Sequence, residues 1–219
     1  MYDINSQTDR LRNCTVSIIG DSYSTFEGWI PQGQACYYPK PYKVEDVLLV
    51  EHTWWYQLLK HRNMRLVVND SYSGATVCND VREDLPADSS FINRMRNTMS
   101  GTNMSVKPDC IFIFGCTNDT WLNRTVGEIQ YDNWSNEDLA QVLPAYCYLL
   151  NYITQHNPQA TCISIINDLI TSEIRQGMLT AGNHYGVMNI ELQDIQKTNR
   201  HPSNLGMRQI AEQINTALG

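Results

Sequence analysis

Ser22 is the residue on which chemistry could be built. It stands in Gly20-Asp21-Ser22-Tyr23-Ser24-Thr25, directly after the β-branched apolar run Thr15-Val16-Ser17-Ile18-Ile19. A short run of that kind bounded by Gly reads as a buried strand, so it delivers Ser22 to a turn at its carboxyl end, where open parallel sheets carry their chemistry. A serine hydroxyl is a weak nucleophile. It needs a base, a group to orient the base, and donors for the oxyanion. The motif is not the Gly-x-Ser-x-Gly elbow, because Ser24 takes the place of the second Gly.

Two further strand ends carry small or amide residues. Gly74 follows an expected strand at 65–69, and Asn118 follows another at 109–114. In a doubly wound sheet such ends lie side by side at the switch point. The backbone N–H groups of Ser22 and Gly74 and the side-chain amide of Asn118 could then bind the oxyanion of a tetrahedral intermediate. Taken singly, Gly74 is an ordinary turn glycine and Asn118 an ordinary loop residue. The base should be one of five histidines. His52 and His61 fall on an expected helix, His156 ends another and His184 falls in a Gly-rich loop, whereas His201 precedes Pro202 at the start of the last helix. That company favours His201.

Gly20-Asp21-Ser22, then Gly74, then Asn118-Asp119, then His201-Pro202 resembles, in order and spacing, the SGNH (GDSL-type) hydrolases. The resemblance runs from the first strand to the last helix. It implies a flavodoxin-like α/β/α fold and metal-independent hydrolysis of esters, commonly acetyl groups on sugars or acyl chains on lipids. It also implies Ser22 as nucleophile, His201 as base and Ser22, Gly74 and Asn118 as oxyanion donors, with no metal or other cofactor. Two departures stand out. Cys116 occupies the place of the Gly in Gly-x-Asn-Asp, with Gly115 one position early. The last block is usually Asp-x-x-His, yet Thr198 stands three residues before His201. Either a main-chain carbonyl orients the imidazole, giving a Ser-His dyad, or Asp194 reaches in from seven residues away; the dyad is preferred because Asp194 would have to fold back from the end of the fifth strand.

Strands are expected at 15–19, 65–69, 109–114, 161–166 and 187–192. Helices are expected over 51–62, within 80–100 (Phe91, Ile92, Met95 and Met99 at helical spacing), and from an N-cap at Asn136 to about His156. Pro144 predicts a kink in that helix or a helix beginning there. Ser203 caps a last helix with Leu205, Ile210, Ile214 and Leu218 on one face. Alternating strands and helices mean a three-layer α/β/α domain, a doubly wound parallel sheet of about five strands spanning residues 1–219 as a single unit. The long loop at 23–46 contains Pro31, Pro39, Pro41, Trp29, Tyr37, Tyr38 and Tyr42, and reads as a lid, a binding wall or an aromatic flap packed for stability. A second loop carries Trp121 and Trp134.

A net charge of −7 with no basic run argues against a nucleic-acid partner, and small or carbohydrate esters fit better. No apolar run is long enough to span a bilayer, and residues 1–12 lack the apolar core of an export signal. The seven Cys lack C-x-x-C pairs, which argues against a disulfide framework and a zinc site. The expected activity is serine esterase on acylated carbohydrate, with Trp29, Tyr37, Tyr38 and Trp121 stacking on sugar rings. The alternatives are a lipid esterase or thioesterase, with the same aromatics lining an acyl groove, and a hydrolase-like module that only binds glycan.

Overall fold

The computed structural model describes residues 11–40, 46–98 and 107–219; Pro41, Tyr42 and Met99 lie outside the described residues. Five parallel strands, β1 (Thr15–Gly20), β2 (Arg65–Ser71), β3 (Cys110–Phe114), β4 (Thr161–Ile166) and β5 (Met188–Glu191), form a sheet in the order β2-β1-β3-β4-β5. The order reverses at β1, so the crevice between β1 and β3 is the switch point. Gly20 is in register with Ser71 on one side and Phe114 on the other, so the three carboxyl ends stop at one edge.

Period-2 alternation sends the strand side chains into two cores. Val16, Ile18, Phe112, Phe114, Ile163 and Ile165 pack beneath α1 (Trp54–Arg62) and a long C-terminal helix (Asn204–Ala217), while Ile19, Ile111 and Ile113 face α2 (Phe91–Thr98) and the remaining helices. Thr53 caps α1 by accepting the Tyr56 N–H, and Asn63 ends it in the left-handed conformation. No helix among the described residues is long and apolar enough to cross a membrane.

Several expectations change. The loop after β3 opens with a short helix, α3 (Thr117–Trp121). The helix expected from Asn136 is two: α4 (Asn136–Leu139) and α5 (Val142–His156), with Pro144 in the first turn of α5, where its missing N–H costs no bond. Ser135, not Asn136, is the N-cap, forming a reciprocal capping box with Asp138. His184 lies not in a loop but on α6 (Ser172–Tyr185), the crossover between β4 and β5. That helix was unread because Ile174 and Met178 are the only large apolar residues on its buried face, and Gly177, Ala181 and Gly182 fill the rest, with Gly177 against Leu143 and Gly182 against Asn189. A two-residue hairpin, β6 (Lys197–Thr198) and β7 (His201–Pro202), precedes α7 (Asn204–Ala217). Ser203 caps α7, whose Ile210, Ile214 and Leu218 are buried, whereas Leu205 is exposed.

Candidate active site

The chain leaves β1 through Asp21, whose Oδ1 accepts the Tyr23 N–H at 3.0 Å and so caps a tight turn over Ser22–Ser24. Ser24 anchors the far end: its carbonyl accepts Asn69 Nδ2 at 2.8 Å and Trp55 Nε1 at 3.0 Å, and its hydroxyl accepts Trp54 Nε1 at 3.2 Å. A turn fixed at both ends aims Ser22 at the switch-point crevice. Its Oγ lies 3.0 Å from Nε2 of His201.

His201 opens β7, opposite Thr198 on β6. The two residues between the strands, Asn199 (φ 48°) and Arg200 (φ 67°), both adopt the left-handed conformation that a two-residue hairpin demands. This bend turns the Asn199 carbonyl toward Nδ1 of His201 at 3.1 Å. A carbonyl can only accept, so Nδ1 carries the proton and Nε2 is left with the lone pair that can take the Ser22 hydroxyl proton. Tyr23 ties the hairpin to the nucleophile turn by donating its hydroxyl to the Arg200 carbonyl. Asp194 is exposed on its own left-handed turn (φ 52°), and no hydrogen bond or ion pair links it to His201.

Ser22, Gly74 and Asn118 follow the carboxyl ends of β1, β2 and β3, which stop at one edge of the sheet. Among the described residues neither the Ser22 N–H nor the Gly74 N–H has a protein acceptor. Gly74 sits at φ 87°, a conformation that a side chain would strain. Asn118, on the first turn of α3, donates one N–H of its amide to the Ala75 carbonyl at 2.9 Å, which fixes the plane and leaves the other N–H available. The neighbouring Asp119 is fully buried and accepts both the Val77 N–H, at 2.9 Å, and the Cys78 N–H, at 3.3 Å, bracing the loop that carries Gly74. The displaced glycine has a packing reason: a Cβ on Gly115 would meet the Phe91 ring at 2.6 Å, while Cys116 takes up the left-handed bend itself (φ 65°).

Burial sets the electrostatics. The Asp21 carboxyl is pushed up to about 7, chiefly by burial and further by the nearby charge of Asp119, against the Tyr23 N–H and Arg94. Burial likewise raises Asp119 despite its backbone donors. The buried Arg94 guanidinium binds the carbonyls of Gly20 and Ser89, at 3.1 and 2.9 Å, as well as that of Asp70, and pairs with the Asp70 carboxylate at 3.3 Å. It thereby clamps the ends of β1 and β2. Sequence reasoning missed Arg94, since an arginine on a polar helix gives no sign that it points inward.

The aromatic wall differs from the expectation. Tyr38 is buried and donates its hydroxyl to the Pro202 carbonyl at 2.7 Å, so it offers no face to a sugar. Tyr37 lies flat against the His201 ring. Trp121 stands edge-on to the His201 ring, and Trp29 is exposed where it packs on Trp55 and Tyr56. All seven cysteines are free thiols. Among the described residues no cluster of three His, Cys, Asp or Glu side chains could hold a metal ion.

Residues 14–218 match the sequence profile of the GDSL-like lipase/acylhydrolase family. A Bacteroides ovatus crystal structure described as a GDSL-like lipase is 40% identical, with a TM-score of 0.86 over 93% of this chain and 97% of that one. A Bacteroides uniformis protein of the same description is also 40% identical, with a TM-score of 0.86 over 93% and 94% of the two chains. A family two carbohydrate esterase from Clostridium thermocellum, in complex with cellohexaose, shares the fold at 14% identity, with a TM-score of 0.62 over 93% of this chain and 62% of that one. No curated protein matches the chain.

Proposed function

The chain belongs to the GDSL-like lipase/acylhydrolase family, enzymes that hydrolyse ester bonds, and from that premise we propose a metal-independent serine esterase working through an acyl-enzyme on Ser22. The observation that carries the reading is the 3.0 Å contact of Ser22 Oγ with His201 Nε2, and the placing of Ser22, Gly74 and Asn118 after the ends of β1, β2 and β3 supports it. His201 Nε2 takes the Ser22 proton as Oγ attacks the ester carbonyl carbon, and the carbonyl electron pair moves onto oxygen. The N–H groups of Ser22 and Gly74 and the free N–H of Asn118 bind that oxyanion. Collapse expels the alcohol, which takes the proton from His201, and leaves acyl-Ser22. A water molecule, deprotonated by the same imidazole, then attacks the acyl group, and the second collapse returns the proton to Ser22 Oγ. The Asn199 carbonyl does the orienting work of the absent carboxylate, making this a Ser-His dyad.

The substrate we propose is an O-acetyl or other short acyl group on carbohydrate. The half-buried Trp121 beside the dyad supports a sugar platform, and a carbohydrate esterase seen with cellohexaose shares the fold. A panel of 4-nitrophenyl esters from acetate to palmitate, alongside an acetylated xylan or glucan, tests this. Turnover confined to acetate and the acetylated glycan is the expected result. Rates rising with chain length would replace it with a lipid esterase or thioesterase, and glycan affinity without turnover would leave a binding module.

A further inference from the structure

With Thr198 in place of the family's aspartate, the Asn199 carbonyl accepts from Nδ1 of the imidazole. A hydrogen bond at that atom fixes the tautomer, whereas the tilt of the ring, which aims Nε2 at Ser22, is best set by contact with its flat face. We infer that Tyr37 supplies that contact and is a positioning residue for His201, an inference that rests on the esterase reading.

The two rings lie parallel, 7° apart, with centroids 3.5 Å from each other. The rings of Tyr23 and Trp121 close in at 5.5 Å and that of Tyr38 at 6.4 Å, each steeply inclined, so the imidazole is held by one flat face and several inclined rings. Tyr37 is itself fixed. Its N–H donates to Thr25 Oγ1 at 2.9 Å, and the same hydroxyl donates to the Ser22 carbonyl at 3.1 Å. One threonine therefore ties the stacking residue to the nucleophile turn. Lys40 Nζ lies 3.4 Å from the Tyr37 centroid, which places it on the face opposite His201, since two groups so close to one centroid cannot share a face. Flanking bonds join the flap to the other blocks, Ser73 N–H to the Ala35 carbonyl at 2.8 Å and Tyr38 hydroxyl to the Pro202 carbonyl, while the Glu27 N–H to the Tyr38 carbonyl at 2.9 Å closes the flap on itself. The flap thus sets the angle of the base, and with both faces covered Tyr37 has none left to stack on a sugar.

The test removes the flat face while keeping bulk. Tyr37→Phe preserves the stack and should keep kcat on 4-nitrophenyl acetate within about threefold, whereas Tyr37→Leu should lower kcat on the order of thirtyfold with KM nearly unchanged, because a misdirected base affects the chemical step alone. Tyr37→Met, unbranched and better able to fill an irregular gap, carries the same expectation should Tyr37→Leu not fold. Nitrogen-15 NMR of the His201 ring reads the cause directly and needs no turnover: one Nδ1–H tautomer in the unaltered protein and in Tyr37→Phe, averaged ring signals in the Leu or Met variant. Unchanged ring signals and kcat in a folded Leu or Met variant would overturn the inference, as would a rise in KM with kcat intact. Absence of Ser22-dependent hydrolysis in the unaltered protein would sink the esterase reading, and the ring spectra would still decide whether Tyr37 holds His201.

Discussion

Replacing Asp21 by Asn should flatten part of the protein's stability profile against pH. Asp21 is fully buried, with one carboxylate oxygen accepting the Tyr23 N–H. Its carboxyl stands at about 7 in the folded chain, against an ordinary value of 3.8. Between those values the folded state binds a proton that the unfolded state does not, so stability falls as pH rises. The contribution is fully present below about 4 and lost as pH passes through about 7. Going from pH 5 to pH 8 crosses about two units of that window, so at about 1.4 kcal/mol per unit the loss is at most about 3 kcal/mol. For a domain of this size that corresponds to a fall in Tm of roughly 5–10 °C. Asn keeps the acceptor for Tyr23 but cannot titrate. Thermal unfolding of both proteins across this range isolates the effect, since groups not coupled to Asp21 cancel in the difference. The Tm of the unaltered protein should fall relative to Asp21→Asn as pH rises, then run parallel to it above pH 8. Parallel curves throughout would refute the reasoning.

The remaining expectations concern the site. Asn118→Ala should lower kcat by roughly a hundredfold or more with little change in KM, since its free N–H meets charge that exists only in the transition state; steady-state kinetics on 4-nitrophenyl acetate decide it, and a KM effect alone would make Asn118 a substrate-positioning group. Gly74→Ala should cost roughly 1–2 kcal/mol in chemical unfolding, because φ 87° is strained for an L-residue and the new methyl comes within 3.2 Å of Leu85 Cδ1, and it should lower kcat as the N–H shifts. Asp194→Asn and Thr198→Ala should each change kcat/KM by less than about threefold, while His201→Ala should be nearly as damaging as Ser22→Ala. A thousandfold loss in Asp194→Asn would replace the dyad with a triad.

What the sequence revealed depended on how much contrast each element carried. The β-branched runs and the Gly20-Asp21-Ser22 turn were legible because burial on both faces leaves an unbroken apolar signal, and the α/β/α order follows from their alternation. Helix α6 was not legible, since only Ile174 and Met178 are large apolar residues on its buried face; Gly177 and Gly182 instead let it approach Leu143 and Asn189 closely. The orienting carbonyl of Asn199 could not be read as such, because any residue has one; only the paired left-handed conformations of Asn199 and Arg200 aim it. The aromatics of the flap stood out, but not their use: Tyr37 and Tyr38 were expected to face sugar, and instead one is pressed on His201 and the other is buried against Pro202. Arg94 and the brace from Asp119 depend on tertiary contacts across more than twenty residues and leave no local pattern.

Covalent catalysis at Ser22 is the central claim, and rapid acid quenching of a 4-nitrophenyl acetate reaction followed by mass spectrometry of the digested protein tests it most directly. One acetyl group should accumulate on the peptide containing Ser22 during the first turnover, with none in Ser22→Ala, and hydrolysis should vanish with it. Turnover without acetylation, or an acetyl group carried by another residue while Ser22→Ala remains active, would contradict the account.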